Sequence, residues 1–190
     1  MKFIKTYSVY AFLCFNIFAC NSKVELKTIE RSNENIELEN GILKYNSEIF
    51  SGTVVSYHSN FILKSRVKYS EGRKEGFEHY WFENGELAME RHYSNGIKTG
   101  VHRGWWTKNH LKFEYHFNTS GSYHGEVKEW YNSGQKFREF HYDNGQEIGS
   151  QRLWKLNGSI KANYTVYNGD RFGLIGLKNC ATVSENPQKL

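Results

Sequence analysis

The chain has very little proline and no concentration of charge of one sign. One proline stands against 17 glycines among 190 residues, so we expect the turns of this protein to be made by glycine. Charged residues make up 24% of the chain, which argues against wholesale disorder. Aromatic residues reach 16%, a composition that favours β-strands.

A dense basic run is also missing, although the formal net charge is +5. Removal of Lys2 and Lys5 with an N-terminal leader would lower that charge to +3. Nucleic-acid-binding domains concentrate Lys and Arg on one face. We therefore expect no nucleic-acid partner.

The familiar catalytic motifs do not occur in this sequence. Asp143 and Asp170 are the only aspartates, and both lie in predicted turns. We find no His-Glu-x-x-His pair, no Gly-x-Ser-x-Gly elbow and no phosphate-binding loop. Because a hydrolase needs a nucleophile, a base and an orienting group, or two disposed carboxylates, we expect no enzyme and no cofactor.

The first 19 residues have the organisation of a signal peptide. Lys2 and Lys5 form a positive start, and an apolar stretch follows from about residue 6 to residue 18. That stretch is too short to span a bilayer as a helix, which takes about 20 apolar residues. Ala19 is the small residue expected before the cleavage site.

The sequence Ile17-Phe18-Ala19-Cys20 resembles a bacterial lipobox. The resemblance implies cleavage between Ala19 and Cys20, a diacylglyceryl group on the Cys20 sulfur and a further acyl chain on its amine. Two or more acyl chains hold a protein stably on a membrane. We therefore predict a lipoprotein of the bacterial cell envelope, outside the cytoplasm, in the inner or outer membrane. The alternative is an ordinary secretory signal with an unmodified Cys20.

Cys180 would then be the one remaining thiol, since Cys14 leaves with the signal peptide. An internal disulfide is thereby excluded. A lone thiol in an exported protein is a candidate metal ligand, redox group or pairing site. The interpretation we favour is a small buried apolar side chain.

A repeat of roughly 24 residues runs through the rest of the chain. Glycines recur at intervals of 24 or 25 residues, at Gly52, Gly76, Gly100, Gly125, Gly149 and Gly173. An aromatic residue follows each of the first five by five positions, namely Tyr57, Trp81, Trp105, Trp130 and Trp154. We call these five residues the aromatic column.

Turn signals divide each repeat into two strands. The pairs Asn84-Gly85 and Asn95-Gly96 are examples, and Asn-Gly is the strongest local signal for a type I′ hairpin. Along the longer strands one face is mainly apolar and the other mainly charged, as for Leu87, Met89 and Tyr93 against Glu90 and His92. This pattern predicts an all-β, antiparallel meander of β-hairpin repeats, either an elongated single sheet or a solenoid-like stack.

The pattern resembles the MORN-variant repeats of the YwqK-type bacterial family, often labelled antitoxins. It combines glycine, four residues, an aromatic pair, Asn-Gly, a strand, an aromatic and Asn-Gly, most cleanly in residues 76–100 and 125–149. The resemblance implies a repeat domain over residues 40–175. A polar tether at 20–39 would precede it, and a C-terminal cap and tail at 176–190 would follow. His110 and Lys155 depart from the pattern, which suggests local distortion.

Three histidines recur at one repeat position, two residues after a glutamate. They are His92, His116 and His141, which follow Glu90, Glu114 and Glu139. Equivalent strands should lie about 9–10 Å apart. Neighbouring pairs are then too far apart to share one zinc ion at bond lengths of about 2.0–2.1 Å. We predict no metal site, with these histidines and Cys180 as the weak candidates.

The aromatic column is the better candidate for a binding strip, because Trp and Tyr concentrate in binding surfaces. Internal packing of the repeats is the alternative. The function we predict is a lipid-anchored, non-enzymatic scaffold that binds a protein or an envelope polymer. Two alternatives stay open: a purely structural lipoprotein, and a metal-handling protein that uses Cys180 or the Glu-x-His pairs.

The lipid anchor is testable by mass and by membrane partition. We expect the expressed protein to lack residues 1–19, to carry acyl chains and to associate with membranes. The Cys20→Ala variant should lose both the acyl chains and the association, because no sulfur remains to be acylated. A soluble, unacylated wild-type product with the signal removed would contradict the anchor and leave the repeat argument standing.

Overall fold

A computed structural model describes residues 27–176, and within that range the protein is all-β. No helix in this part of the chain is long and apolar enough to cross a membrane. The strands are β1 (Lys27–Glu30), β2 (Ile36–Glu39), β3 (Ile42–Tyr45), β4 (Glu48–Ile49), β5 (Gly52–Tyr57), β6 (Leu63–Ser70), β7 (Arg73–Trp81), β8 (Leu87–Ser94), β9 (Ile97–Thr107), β10 (His110–Phe117), β11 (Tyr123–Trp130), β12 (Lys136–Asp143), β13 (Gln146–Glu147), β14 (Gly149–Trp154), β15 (Ile160–Tyr167) and β16 (Asp170–Leu174).

One large sheet contains 13 of these strands, in the order β1-β5-β6-β7-β8-β9-β10-β11-β12-β14-β15-β16, with β13 paired to β12. From β5 onward each pair of neighbours is antiparallel. The predicted all-β meander of hairpin repeats is confirmed, and the sheet is open. Strands β2, β3 and β4 form a separate antiparallel sheet.

The start of the folded part differs from the sequence prediction. The polar tether expected over residues 20–39 is wrong from Lys27 onward, because β1 pairs in parallel with β5 and β2 pairs with β3. Ile29 is buried with Leu43, Phe50 and Val54. A single apolar side chain among polar neighbours is not a sequence signal for a strand. The burial of Ile29 depends on contacts with residues that are distant along the chain.

The Asn-Gly turns are of two kinds. Asn95 and Gly96 both have positive φ, 48° and 81°, as type I′ requires. The pair Asn84-Gly85 represents the other kind, in which the glycine has a positive φ and the asparagine does not. The φ of Gly85 is 81°, and the Gly85 amide donates to the carbonyl of Phe82 at 2.9 Å. That geometry is a type I turn followed by a glycine bulge, so the type I′ prediction is wrong there. Asn109, with φ 65°, supplies the positive φ just before His110.

Four of the six periodic glycines, Gly76, Gly100, Gly125 and Gly149, lie at bulges in the strand pairing, not in turns. Around Gly76, Val67 pairs with Glu78 and Tyr69 pairs with Lys74. Between these two pairs, the β7 segment therefore has two residues more than the β6 segment opposite it. The register shifts in the same region of the later repeats, around Gly100, Gly125 and Gly149. Each of these glycines has a positive φ, between 60° and 93°. L-residues with a side chain adopt that conformation at a cost.

Two residues after each glycine comes the most deeply buried position of its repeat. It is at most 2% exposed in all five repeats, where it is occupied by Val54, Glu78, His102, Val127 and Gln151. We call these five residues the central column. His102 Nε2 donates to the carbonyl of His92 at 2.8 Å, and Gln151 Nε2 donates to the carbonyl of His141 at 2.9 Å. His102 and Gln151 thus each donate a side-chain hydrogen bond to a backbone carbonyl of the neighbouring strand.

The bulge conformation is testable at Gly149, where φ is 60° and an added Cβ would meet no atom within 4 Å. We expect Gly149→Ala to lower the free energy of unfolding by about 1–2 kcal/mol, because the left-handed conformation is strained for alanine. Gly149→Asn should cost less, since asparagine tolerates that conformation. Urea unfolding measures both, and two variants as stable as the wild type would show that no strain exists there.

Candidate functional site

The aromatic column lies at one end of the repeats, beside the first turn of each hairpin. The register shifts by one residue there: Tyr80 pairs with Met89, and then Trp81 pairs with Leu87. Trp130 and Trp154 occupy equivalent bulges. The four tryptophans are half-buried, and Tyr57 is 47% exposed. The predicted strip is thus partly accessible and partly packed between repeats.

The residue after three of the five column members joins one repeat to the next. His58 Nε2 donates to the carbonyl of Trp81 at 2.9 Å, and Trp106 Nε1 donates to that of Trp130 at 3.0 Å. The Tyr131 hydroxyl donates to the carbonyl of Trp154 at 3.0 Å. The aromatic pairs are visible in the sequence, but their role in joining the repeats is not. The signal is a hydrogen-bond donor at four of these five positions, with Phe82 as the exception.

An aromatic-lined pocket of about 250 Å³ opens in the middle of the sheet, among β9, β10, β11 and β12. We call it the aromatic pocket, and its rings are those of Trp106, Phe113, Tyr115, Trp130, Tyr131 and Phe137. Lys112 and Glu129 are its two charged lining residues. Of the predicted binding strip, only Trp130 is among the residues that line it.

Close packing among the rings holds this pocket in shape. Phe113 stacks on Tyr115 with ring centroids 4.6 Å apart, and Tyr131 meets Phe137 edge-on at 5.1 Å. A Cβ at Gly104 would lie 2.3 Å from Phe113, so only glycine lets that ring lie against β9. A pocket formed before the ligand arrives loses less conformational entropy on binding.

The charges of the aromatic pocket are few and well placed. Lys112 Nζ lies 4.2 Å from the ring centroid of Trp106, a cation–π contact. Glu129 accepts hydrogen bonds from the Tyr115 hydroxyl and from Arg138. Burial, and then the Glu129 carboxylate, raise the pKa of Tyr115, so that its hydroxyl remains protonated. The arrangement suits noncovalent binding by ring faces with one cation and one anion alongside.

The glutamates of the Glu-x-His pairs lie opposite cations on the other face of the sheet. The cross-strand partners form a row that we call the charge ladder, Arg66–His79–Glu90–Arg103–Glu114–Lys128–Glu139–Arg152. Arg103 Nε donates to Glu114 at 2.7 Å. Burial acts to raise the pKa of Glu114, but Arg103 and His116 outweigh it and hold that pKa below its usual value. Such opposite-charge pairs stabilise a sheet.

The histidines of the same motif also have local partners. His92 Nδ1 lies 2.8 Å from Thr99 Oγ1, His116 Nε2 lies 3.3 Å from Glu114, and His141 Nδ1 donates to the carbonyl of Ser150 at 2.7 Å. Between residues 27 and 176 no group of three or more His, Cys, Asp or Glu side chains is placed to hold a metal ion. Ala19, Cys20 and Cys180 lie outside the described residues.

Comparison of the sequence with protein-family models and with curated proteins finds no match.

The contacts between repeats are testable at Tyr131. We expect Tyr131→Phe to lower the free energy of unfolding by about 1 kcal/mol, because the Trp154 carbonyl loses its hydrogen-bond donor. Tyr167→Phe is the matched control, since Tyr167 is 69% exposed and its hydroxyl should contribute nothing. Denaturant unfolding measures both variants. Equal effects at the two positions would mean that Tyr131 does not join the repeats.

Proposed function

We propose that this protein is a lipid-anchored, non-enzymatic scaffold of the bacterial cell envelope that binds an envelope polysaccharide at the aromatic pocket. The observation that carries the proposal is that pocket itself. Ligand sites are typically concave, mostly apolar and supplied with a few oriented polar groups. Six aromatic side chains with Lys112 and Glu129 meet that description.

A sugar polymer fits these groups better than a protein segment does. The C–H faces of a pyranose ring lie flat on aromatic rings, while its hydroxyls both donate and accept hydrogen bonds. Glu129 would accept from a hydroxyl and Lys112 would donate to one.

The cellular setting of the proposal comes from the N-terminal segment. Acylation at the lipobox-like sequence ending at Cys20 would hold the repeat domain on the outer side of a membrane, where envelope polymers are found. The resemblance to the MORN-variant repeats of the YwqK-type family supports a repeat scaffold as the framework. A purely structural lipoprotein is the competing function, and it predicts no ligand at the aromatic pocket.

The experiment is calorimetric titration of the detergent-solubilised mature protein with a chitohexaose and with a cellohexaose. We expect at least one of them to bind, and Trp130→Ala to weaken that binding at least tenfold. Trp81→Ala is the matched control, because Trp81 belongs to the same column, is also half-buried and does not line the aromatic pocket.

Three outcomes would reject the proposal. The first outcome is that neither oligosaccharide binds, which would favour the structural role. Trp130→Ala and Trp81→Ala weaken binding equally, which removes the pocket as the site. An envelope protein competes for the pocket and binds it through Trp130 while the sugars do not, which makes the ligand a protein.

A further inference from the structure

One member of the central column does not match the others. Val54 and Val127 fill that position with apolar atoms, and His102 and Gln151 donate hydrogen bonds to backbone carbonyls. Glu78 is as deeply buried, at 1% exposure, yet a carboxylate cannot donate to a carbonyl. A buried carboxylate at this position therefore needs partners of another kind.

Glu78 is provided with partners on one of its oxygens. Oε1 accepts hydrogen bonds from Lys74 and, at 3.4 Å, from the Tyr80 hydroxyl. Oε2 has no hydrogen-bond donor among residues 27–176, and Arg91 Nη1 stands 3.8 Å away from it. Because a buried, unsatisfied carboxylate oxygen costs free energy, Oε2 is ready to accept a hydrogen bond from a ligand.

The glycine bulge brings the charged groups together. Lys74 and Glu78 are four residues apart on β7, which in a regular strand would separate them by about 13 Å. The bulge at Gly76 instead sets Lys74 opposite Tyr69 and Glu78 opposite Val67, which are only two residues apart on β6. Both side chains therefore reach the same place on the sheet.

That place is a cavity of about 370 Å³, which we call the Glu78 cavity. Its polar lining residues include Arg31, Lys74, Glu78, Tyr69, Tyr80 and Tyr93. The two lining cations and the adjacent Arg91 outnumber the single carboxylate, so an anionic group is attracted there. The side chains of Val54 and Val67 supply an apolar part of the wall.

The tyrosines of the Glu78 cavity contribute neutral hydroxyls. Burial, and then the nearby Glu78 carboxylate, raise the pKa of Tyr93 to about 12. The same two causes raise the pKa of Tyr80. Burial also raises the pKa of Tyr69, although Arg31 acts to lower it. All three phenols remain protonated near neutral pH and present both a ring and a hydrogen-bonding group.

From this combination we infer that the Glu78 cavity is a second binding site and that it takes an acidic sugar, a hexuronate unit. Arg31 and Lys74 bind the sugar carboxylate, and Glu78 Oε2 accepts a hydrogen bond from a sugar hydroxyl. The tyrosine rings and the two valines contact the C–H face. Acetate has no hydroxyl for Glu78, phosphate has no C–H face for the rings, and a neutral sugar has no carboxylate for the cations.

This site extends the proposed polysaccharide binding by naming the sugar class, and it uses residues that the aromatic pocket does not use. The two proposals can therefore fail separately. Trp130→Ala should abolish binding at the aromatic pocket and leave binding at the Glu78 cavity unchanged. Variants of the Glu78 cavity should behave in the opposite way.

The test is calorimetric titration of the detergent-solubilised mature protein with D-glucuronate, beside D-glucose, acetate and inorganic phosphate. We expect glucuronate to bind at least tenfold more tightly than each of the other three. Arg31→Gln, at an exposed position, and Glu78→Gln should each weaken glucuronate binding at least tenfold. Lys68→Gln is the matched control, since Lys68 is an exposed cation that does not line the cavity.

Unfolding measurements separate a binding role of Glu78 from a structural one. Gln151 occupies the equivalent position in the last repeat, so Glu78→Gln should fold and keep its resistance to urea while it loses the ligand. The inference is overturned if acetate, phosphate or glucose binds as tightly as glucuronate. It is equally overturned if Glu78→Gln binds glucuronate as tightly as the wild type does. The same holds if Arg31→Gln, like the control Lys68→Gln, keeps the affinity of the wild type.

Discussion

A left-handed glycine at the bulge of one strand in each of four repeats is the constraint on which the large sheet depends. At Gly76, Gly100, Gly125 and Gly149 the backbone has a positive φ, and the register beside each glycine shifts in the strand pairing. The bulge directs the residue two positions later into the most buried site of its repeat. In that position His102 and Gln151 donate to the carbonyls of His92 and His141, and Val54 and Val127 fill the space with apolar atoms.

The two faces of the sheet are stabilised in different ways. On one face the charge ladder sets each of its three glutamates between basic residues of the neighbouring strands, and Arg103 with Glu114 is its clearest hydrogen-bonded pair. On the other face aromatic rings pack against each other and around the central column. The charge ladder explains why a glutamate recurs in the Glu-x-His motif, because each of these glutamates lies opposite a basic residue of the next strand.

Both proposed sites arise where a repeat departs from its neighbours. Gly104 makes room for Phe113 and so helps to form the aromatic pocket, and Glu78 replaces an apolar or hydrogen-bond-donating residue in the central column. Regular repeats build the scaffold, and single substitutions within them create concave, chemically distinct places. The two proposed sites therefore differ in chemistry although both lie on one sheet.

The sequence by itself determined the all-β class, the period, the hairpins and the alternation of faces, because these follow from local turn chemistry and side-chain spacing. Tertiary structure alone decided that Gly76 lies in a bulge and not in a turn, that Lys27–Glu30 joins β5 in parallel, and that Trp130 lines the aromatic pocket while Trp81 does not. It alone also placed Arg31 beside Lys74 and Glu78. These features depend on pairing between strands distant along the chain, and a periodic local pattern carries no information about which side chains then meet.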